Sequence, residues 1–154
     1  MPAMEPRWLD EDERVLWMRL HSLSERLLSD VDSRLRRDAG LTRYEYYVLA
    51  MLCESPTRSR LMSELALATN GSLSRLSHAA AKLEANGWLT RSHAAGQRRS
   101  VVAALTDEGW RKIAEAAPGH VESVRERIFD HLTPEQVKAL YAALGPLFDG
   151  CCPR

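Results

Sequence analysis

Polar and basic side chains between residues 72 and 99 have the types and the spacing that binding to a polyanion requires. The set consists of Ser72, Ser74, Arg75, His78, Lys82, Arg98 and Arg99. Hydroxyl, guanidinium and ammonium groups donate hydrogen bonds to phosphate oxygens, and arginine also pairs with the edges of bases. Residues 71–100 carry five basic side chains and one acidic side chain, a local charge of +4 in a chain whose formal net charge is zero. Because phosphate binding needs a positive face and not a positive protein, these residues indicate a nucleic-acid interface.

Most of this set falls on one predicted helix. Ser72 can accept a free backbone N–H at its start, and Gly87 supplies the left-handed residue that ends it near Asn86. The helix is therefore expected to be about four turns long. Its inner face is defined by a three- and four-residue spacing of apolar residues, namely Leu73, Leu76, Ala80 and Leu83. Its polar face would carry Ser74, Arg75, His78 and Lys82.

A β-hairpin is predicted directly after this helix. Residues 88–90 and 100–105 contain the aromatic and β-branched side chains that favour strands, and residues 93–97 between them contain a glycine. The tip of the hairpin would carry Arg98 and Arg99.

A shorter helix is predicted before the polar one, over residues 60–68. It connects to Ser72 through the tight turn Thr69-Asn70-Gly71. Two helices joined by a short glycine-containing turn form the helix-turn-helix, which places its second helix in the major groove of DNA. A merely solvated helix face would carry the same charges, but it would not need this preceding helix and turn. Arg58 and Arg60 are further candidates for phosphate contact.

Long helices are predicted before this central segment. Residues 10–37 keep apolar side chains at three- and four-residue intervals, with acidic residues at the start and Gly40 after the end. Thr42 and Glu45 have the spacing of a capping box and begin a second helix, which would end near Ser55-Pro56.

Two further helices are predicted after the hairpin. Thr106 caps the first, and Pro118 predicts a bend near Ala114 rather than a break. The last begins at Thr133 and Pro134 and carries an apolar stripe. Because the terminal helices have more apolar surface than the central segment can cover, we expect two chains to associate.

These segments resemble a known family. The runs MSELA, SLSRLSHAAAKLEANGWLTR and QRRSVVAALTDEG are similar to the winged helix-turn-helix of the MarR family of bacterial transcriptional regulators, and LTRYEYYVLAML and LTPEQVKAL fit the layout of that family. The resemblance covers nearly the whole chain. It implies a mainly α fold with a small β-hairpin wing, in which residues 42–105 form the winged helix-turn-helix. Residues 10–38 and 106–148 would be dimerisation helices of a single domain spanning residues 1–154.

The resemblance also implies a function. A homodimer would bind double-stranded DNA at a pseudo-palindromic operator and regulate transcription as a repressor. At the wing, Arg99 is expected to enter the minor groove and Arg98 to contact the DNA backbone. The family usually has an aspartate two residues before the wing-tip arginine and uses it to orient that arginine. This chain has Gln97 there, which changes how Arg99 is held.

A small-molecule effector is a further implication of the resemblance. Many relatives bind aromatic or anionic ligands in a cleft between the dimer helices and the winged core. In this chain Trp17, His21 and Tyr47 are expected near that cleft, combining aromatic surface with a titratable donor. The alternative is that these three side chains only pack at the dimer interface.

Composition and motifs argue against other classes of protein. The chain has 154 residues, 45% of them hydrophobic, which is ordinary for one globular domain. No apolar run approaches the ~20 residues that cross a bilayer, so we expect a cytoplasmic protein. The histidines lack metal-ligand spacing, and neither a nucleophile motif nor a phosphate-binding glycine loop is present. We therefore expect no enzyme activity, no metal and no cofactor.

Two alternatives within the same fold concern cysteine chemistry and loss of DNA binding. Cys53, Cys151 and Cys152 are too few and too oddly spaced for a disulfide framework or a zinc site, but a thiol could serve a redox-sensing regulator. Relatives that sense oxidation have their cysteine in the first helix, where this chain has none. A protein-interaction module without DNA binding would have lost the basic wing, which Arg98 and Arg99 retain.

Overall fold

The computed structural model describes residues 6–94 and 96–151, with the side chains of residues 97–99 and 151 outside the description. The mainly α fold with a small β wing, expected from the sequence, is confirmed. The described elements are α1 (Glu11–Ala39), α2 (Arg43–Cys53), β1 (Ser59–Leu61), α3 (Met62–Ala68), α4 (Leu73–Ala85), β2 (Leu89–Ala94), β3 (Gln97–Leu105), α5 (Asp107–Arg127), a short 3-10 helix (Phe129–His131) and α6 (Pro134–Cys151).

Helix α1 begins with a capping box and ends at a left-handed glycine. The Glu13 backbone N–H donates to Asp10 Oδ1 at 2.8 Å, the Asp10 N–H donates to Glu13 Oε2 at 3.0 Å, and Gly40 has a φ of 65°. Val31 and Leu35 are its buried residues, and both lie in the C-terminal half. The N-terminal half keeps its predicted apolar stripe exposed, so α1 extends beyond the core of its own chain.

Helix α2 lies at the centre of the core. Its predicted capping box is confirmed, because the Glu45 N–H donates to Thr42 Oγ1 and the Thr42 N–H donates to Glu45 Oε2. Val48, Leu49 and Leu52 are fully buried against the helix-turn-helix and the sheet. The predicted end near residue 55 is also close, since α2 ends at Cys53.

A short edge strand corrects the predicted start of the third helix. Arg60 and Leu61 were expected in that helix, but they belong to β1 and pair with Ala103 and Val102 of β3, so α3 begins at Met62. Three residues are too few to show the alternation of apolar and polar side chains that marks a strand. The sheet is antiparallel, with the order β1-β3-β2.

The hairpin is longer than the sequence indicates. Strand β2 extends to Ala94 and β3 begins at Gln97, so most of the predicted turn over residues 93–97 is strand, with a register shift after His93. Gly96, at the turn, has a φ of 76°, which glycine adopts without strain. The two strands therefore project further from the core than expected.

The last two helices flank the core. Helix α5 is capped by Thr106, whose Oγ1 accepts the Gly109 N–H at 3.0 Å, and it continues through Pro118 to Arg127 as one helix rather than two. It packs along α1 and buries Ile113 and Ala116. The apolar stripe of α6 is exposed and consists of Leu140, Tyr141, Leu144, Leu147 and Phe148. None of the described helices combines the length and apolar character needed to span a membrane.

Candidate nucleic-acid interface

The helix-turn-helix is formed by α3, a tight turn and α4. Ser72 caps α4 as predicted, since its Oγ accepts the Arg75 N–H at 3.1 Å. The turn contains Asn70 at a φ of 50°, and the Gly71 N–H donates to Ala66 O at 3.0 Å. Leu76, Ala80 and Leu83 of α4 are fully buried. The sequence correctly predicts both ends of this helix and three of the four residues on its inner face.

Leu73 is the exception on that face. It was expected to pack inward, but it is 54% exposed in the first turn of α4. There it lines a groove of about 240 Å³ between the helix-turn-helix and the hairpin, together with Ser63, Ser77 and Arg91. This groove continues from the exposed face of α4 to the wing.

The polar face of α4 divides into two parts. Ser74 and His78 are exposed. Arg75 and Lys82 lie at the edge that faces α2, where each contacts one of two consecutive residues. The Arg75 Cζ lies 4.1 Å from the centroid of the Tyr44 ring, and the Lys82 Nζ lies 2.8 Å from Glu45 Oε1. Sequence reasoning placed these four side chains on one face and missed the partners in α2, because no local spacing relates residues 44–45 to 75–82.

The wing is attached to α4 by an ion pair. The Arg91 backbone N–H donates to Glu84 Oε1 at 2.9 Å, and its guanidinium donates to Glu84 Oε2 through Nε at 3.0 Å and Nη2 at 2.7 Å. The Arg91 hydrogen bonds lower the pKa of Glu84 below its usual value. Arg91 contributes to the local positive charge, but its guanidinium is already paired with the protein. Its role is therefore to hold the hairpin against α4, the recognition helix, which is the second helix of the helix-turn-helix.

The wing-tip residues are described only in part. Gln97, Arg98 and Arg99 belong to β3, so they follow the turn on the strand that returns to the core. Their side chains lie outside the described part of the chain, and the predicted roles of Arg98 and Arg99 stay predictions.

Two other arginines contact neighbouring elements of the protein. The Arg58 Cζ lies 5.4 Å from the centroid of the Trp110 ring in α5, and the Arg60 Nε donates to Met51 O at 3.0 Å. The Leu105 N–H donates to Arg58 O at the base of the hairpin, which is the end opposite the wing tip. Both guanidinium groups therefore contact elements of the protein outside the helix-turn-helix, namely α5 and α2.

The three residues expected near an effector cleft fall into two groups. Trp17 and His21 stack on each other, with ring centroids 5.8 Å apart, on the exposed half of α1. The Tyr47 ring centroid instead lies 6.2 Å from that of His120 in α5, and the Tyr46 ring centroid lies 4.3 Å from the same imidazole centroid. Sequence reasoning missed Tyr46 and His120 as neighbours of Tyr47, and no sequence pattern relates the two helices.

Burial shifts the pKa values of two residues in this aromatic cluster. It lowers the pKa of His120 and raises the pKa of Tyr46, and the neighbouring Tyr47 and Cys53 raise the pKa of Tyr46 further. Beside the cluster, a cavity of about 60 Å³ between α1 and α5 is lined by Arg34, His120 and Ser123 among others. The cluster thus adjoins a small space between the two long helices.

The described residues contain no group of histidine, cysteine or acidic side chains arranged to hold a metal ion. Cys53 is a free, half-buried thiol. Cys151 ends α6 with its side chain outside the description, and Cys152 lies beyond the described residues.

Helix α3, the glycine turn, the exposed recognition helix and the attached hairpin together define a winged helix-turn-helix protein, a class that binds DNA. The family model of the MarR family matches residues 39–100. Sco3205 of Streptomyces coelicolor, a MarR family transcriptional regulator solved in complex with DNA, is 42% identical and superposes with a TM-score of 0.92, over 98% of this chain and 94% of that chain.

Two further relatives agree with this match. AbsC, a MarR family transcriptional regulator from Streptomyces coelicolor, is 34% identical with a TM-score of 0.88, over 94% of this chain and 97% of that chain. YfiV of Bacillus subtilis (strain 168), an HTH-type transcriptional regulator, is 31% identical over 90% of this chain and 84% of its own. The chain belongs to the MarR family of DNA-binding transcriptional regulators.

Proposed function

We propose that this chain acts in the cytoplasm as a homodimeric regulator, and not as an enzyme. It binds a pseudo-palindromic operator and represses transcription. The observation that carries the proposal is the exposed polar face of α4, flanked by a hairpin that Glu84 and Arg91 hold in place. An exposed helix of this kind fits the major groove, and the hairpin is then beside the adjacent minor groove.

A dimer accounts for apolar surface that one chain leaves exposed. The N-terminal half of α1 and all of α6 carry large apolar side chains in contact with solvent, among them Leu16, Leu20, Leu144, Leu147 and Phe148. Large contiguous apolar patches on the surface of a globular protein mark sites of association. In a two-fold dimer these helices would cover one another, and the two copies of α4 would bind half-sites about 10 base pairs or slightly more apart.

The proposed contacts divide between bases and phosphates. Arg75, with Ser74 or His78, would recognise base edges, while Ser72 and Lys82 would bind phosphates. Ser74 and His78 are exposed, and Ser72 stands at the N-terminus of α4, where backbone N–H groups favour an anion. At the wing, Arg99 would enter an A·T-rich minor groove and Arg98 would bind the backbone.

A small aromatic or anionic ligand is proposed to relieve DNA binding. Trp17 and His21 on α1 and Tyr47 on α2 remain the candidate contacts, and the Tyr47 side extends to the cluster with Tyr46 and His120. A ligand acts only by binding one spacing of the two recognition helices more tightly than another. Packing of the same side chains at the dimer interface is the competing explanation.

The test combines three measurements on the purified chain. Gel shift on its own upstream intergenic DNA should give a specific complex that excess random DNA does not displace. Light scattering should give the mass of a dimer at micromolar concentration, and a footprint should show two-fold symmetry. A monomeric protein, or a footprint without symmetry, contradicts the proposed dimer, and binding to every sequence alike contradicts a specific operator.

A redox-sensing regulator of the same fold is the second candidate function. Cys53 is a half-buried thiol that lies close enough to Tyr46 to affect its pKa. If this thiol were the sensor, treatment with peroxide would weaken operator binding and Cys53→Ser would abolish that effect. A module that binds other proteins and not DNA would give no gel shift at all.

A further inference from the structure

Tyr44 connects the turn of the helix-turn-helix to the side chain of Arg75. Tyr44 is 7% exposed, and its hydroxyl lies 3.1 Å from Thr69 Oγ1. The Thr69 hydroxyl donates its own proton to Leu65 O at 2.7 Å, so it accepts the hydrogen bond that Tyr44 donates. Because Thr69 is the first residue after α3, this bond holds the ring in one orientation under the turn.

The turn itself is built around this ring. A Cβ added at Gly71 would lie 2.8 Å from Tyr44 Cζ and still closer to the hydroxyl oxygen. Real Cβ atoms do not approach so closely, so only glycine allows the turn to pass over a tyrosine at position 44. The ring is therefore fixed by its hydrogen bond at one end and by the backbone of the turn.

The Arg75 side chain lies over one face of the Tyr44 ring. Its Cζ is 4.1 Å from the ring centroid, well within the range of a cation–π interaction. Arginine stacks readily on aromatic faces, and a cation held by a ring rather than by a carboxylate keeps its N–H donors for a DNA acceptor. Ordering a long side chain before binding removes part of the entropic cost of the contact.

We propose that Tyr44 is a positioning residue for DNA recognition, because it holds Arg75 in the orientation in which Arg75 meets a base. This inference rests on the proposed function and deepens it. Tyr44 is buried beneath Arg75, so its effect on DNA binding passes through Arg75.

The test is a double-mutant cycle measured as operator affinity. Tyr44→Leu should weaken operator binding by about two- to fivefold, the range expected for one cation–π contact. It should leave binding to random DNA unchanged, and it should cause no further loss in an Arg75→Ala background. Tyr44→Phe, which keeps the ring, should have an operator affinity closer to that of the wild type. An equal loss in both backgrounds, or a tighter complex for Tyr44→Leu, would overturn the proposal.

A second measurement does not depend on the Leu variant folding. In side-chain NMR spectra of the free wild-type protein and of Tyr44→Phe, the Arg75 Hδ and Hε resonances should be shifted upfield of exposed arginines by the ring current. Arg75 resonances at the positions of exposed arginines would overturn the inference. If the wild type binds all DNA alike, the proposed function fails; if it binds specifically and the cycle gives no coupling, only the role of Tyr44 fails.

Discussion

The Lys82 ammonium lies 2.8 Å from Glu45 Oε1, and the other oxygen of the same carboxylate accepts the Thr42 N–H at 2.8 Å. One glutamate therefore caps α2 and binds the second half of the recognition helix. The Glu45 side chain is 7% exposed and that of Lys82 is 56% exposed, so the pair joins a buried anion to a cation that solvent and DNA can still reach. Part of the charge of Lys82 is compensated before DNA arrives.

This pair determines what substitution of Lys82 should do. Removing one phosphate contact normally reduces the slope of log affinity against log salt by about one unit. Since Glu45 already compensates the charge of Lys82, we expect Lys82→Ala, introduced alone, to reduce the slope by clearly less than one unit. In a Glu45→Gln background the same substitution should have the full effect. A full unit in the wild-type background would mean that the pair breaks on binding.

Arg75→Ala should reduce operator affinity by about 1 to 3 kcal/mol and flatten the preference among base sequences, because a base contact carries discrimination. The measurement is competition among operators with single base-pair changes at constant salt. Unchanged discrimination in Arg75→Ala would show that α4 docks in another register.

The Glu84–Arg91 pair predicts a pH dependence. Its hydrogen bonds lower the pKa of Glu84 from an ordinary value of 4.5, so the stabilisation is present above that value and is lost as the pH falls through the folded-state pKa. We expect Glu84→Gln to lower the free energy of unfolding by a few tenths to about 1 kcal/mol at neutral pH, since the pair is partly exposed. The difference from the wild type should shrink toward zero in acid.

Local chemistry explains which features the sequence could predict. The caps of α1, α2, α4 and α5 each depend on residues within three positions of one another, and a helical period defines the buried face of α4. The partners Tyr44, Glu45 and Glu84 act across elements, and so does the contact between Tyr47 and His120. Charge counting recognised the basic region, but it could not reveal that Lys82 and Arg91 are each paired with a carboxylate.

Arg99→Ala should weaken operator binding if the wing enters the minor groove, with the largest loss on operators whose flanks are rich in A·T, because arginine favours the narrow groove there. Arg98→Ala should weaken all sequences alike. Gln97→Asp should tighten binding, since a carboxylate can form a charge-assisted pair with Arg99 and orient it. Quantitative footprinting at matched salt tests all three, and an unchanged affinity for Arg99→Ala would remove the wing from the mechanism.

An effector should change operator affinity through the helices that surround the core. We expect at least one compound from a panel of phenols and carboxylates to weaken DNA binding, and Trp17→Ala or His21→Ala to reduce that shift. Trp8→Ala, at a highly exposed tryptophan before α1, is the control for loss of aromatic surface. A shift that survives both substitutions would place the ligand elsewhere, and His120→Ala would then test the cluster around Tyr47.

The crowding between Gly71 and Tyr44 limits how this chain can vary. A side chain at position 71 and a full aromatic ring at position 44 would occupy the same volume, so position 71 must stay glycine for as long as position 44 carries an aromatic ring. A variant with alanine at position 71 would become tolerable only after the residue at position 44 had become small, and that change would remove the surface on which Arg75 rests. Replacement of the glycine in this turn would therefore entail loss of the ring that Arg75 contacts.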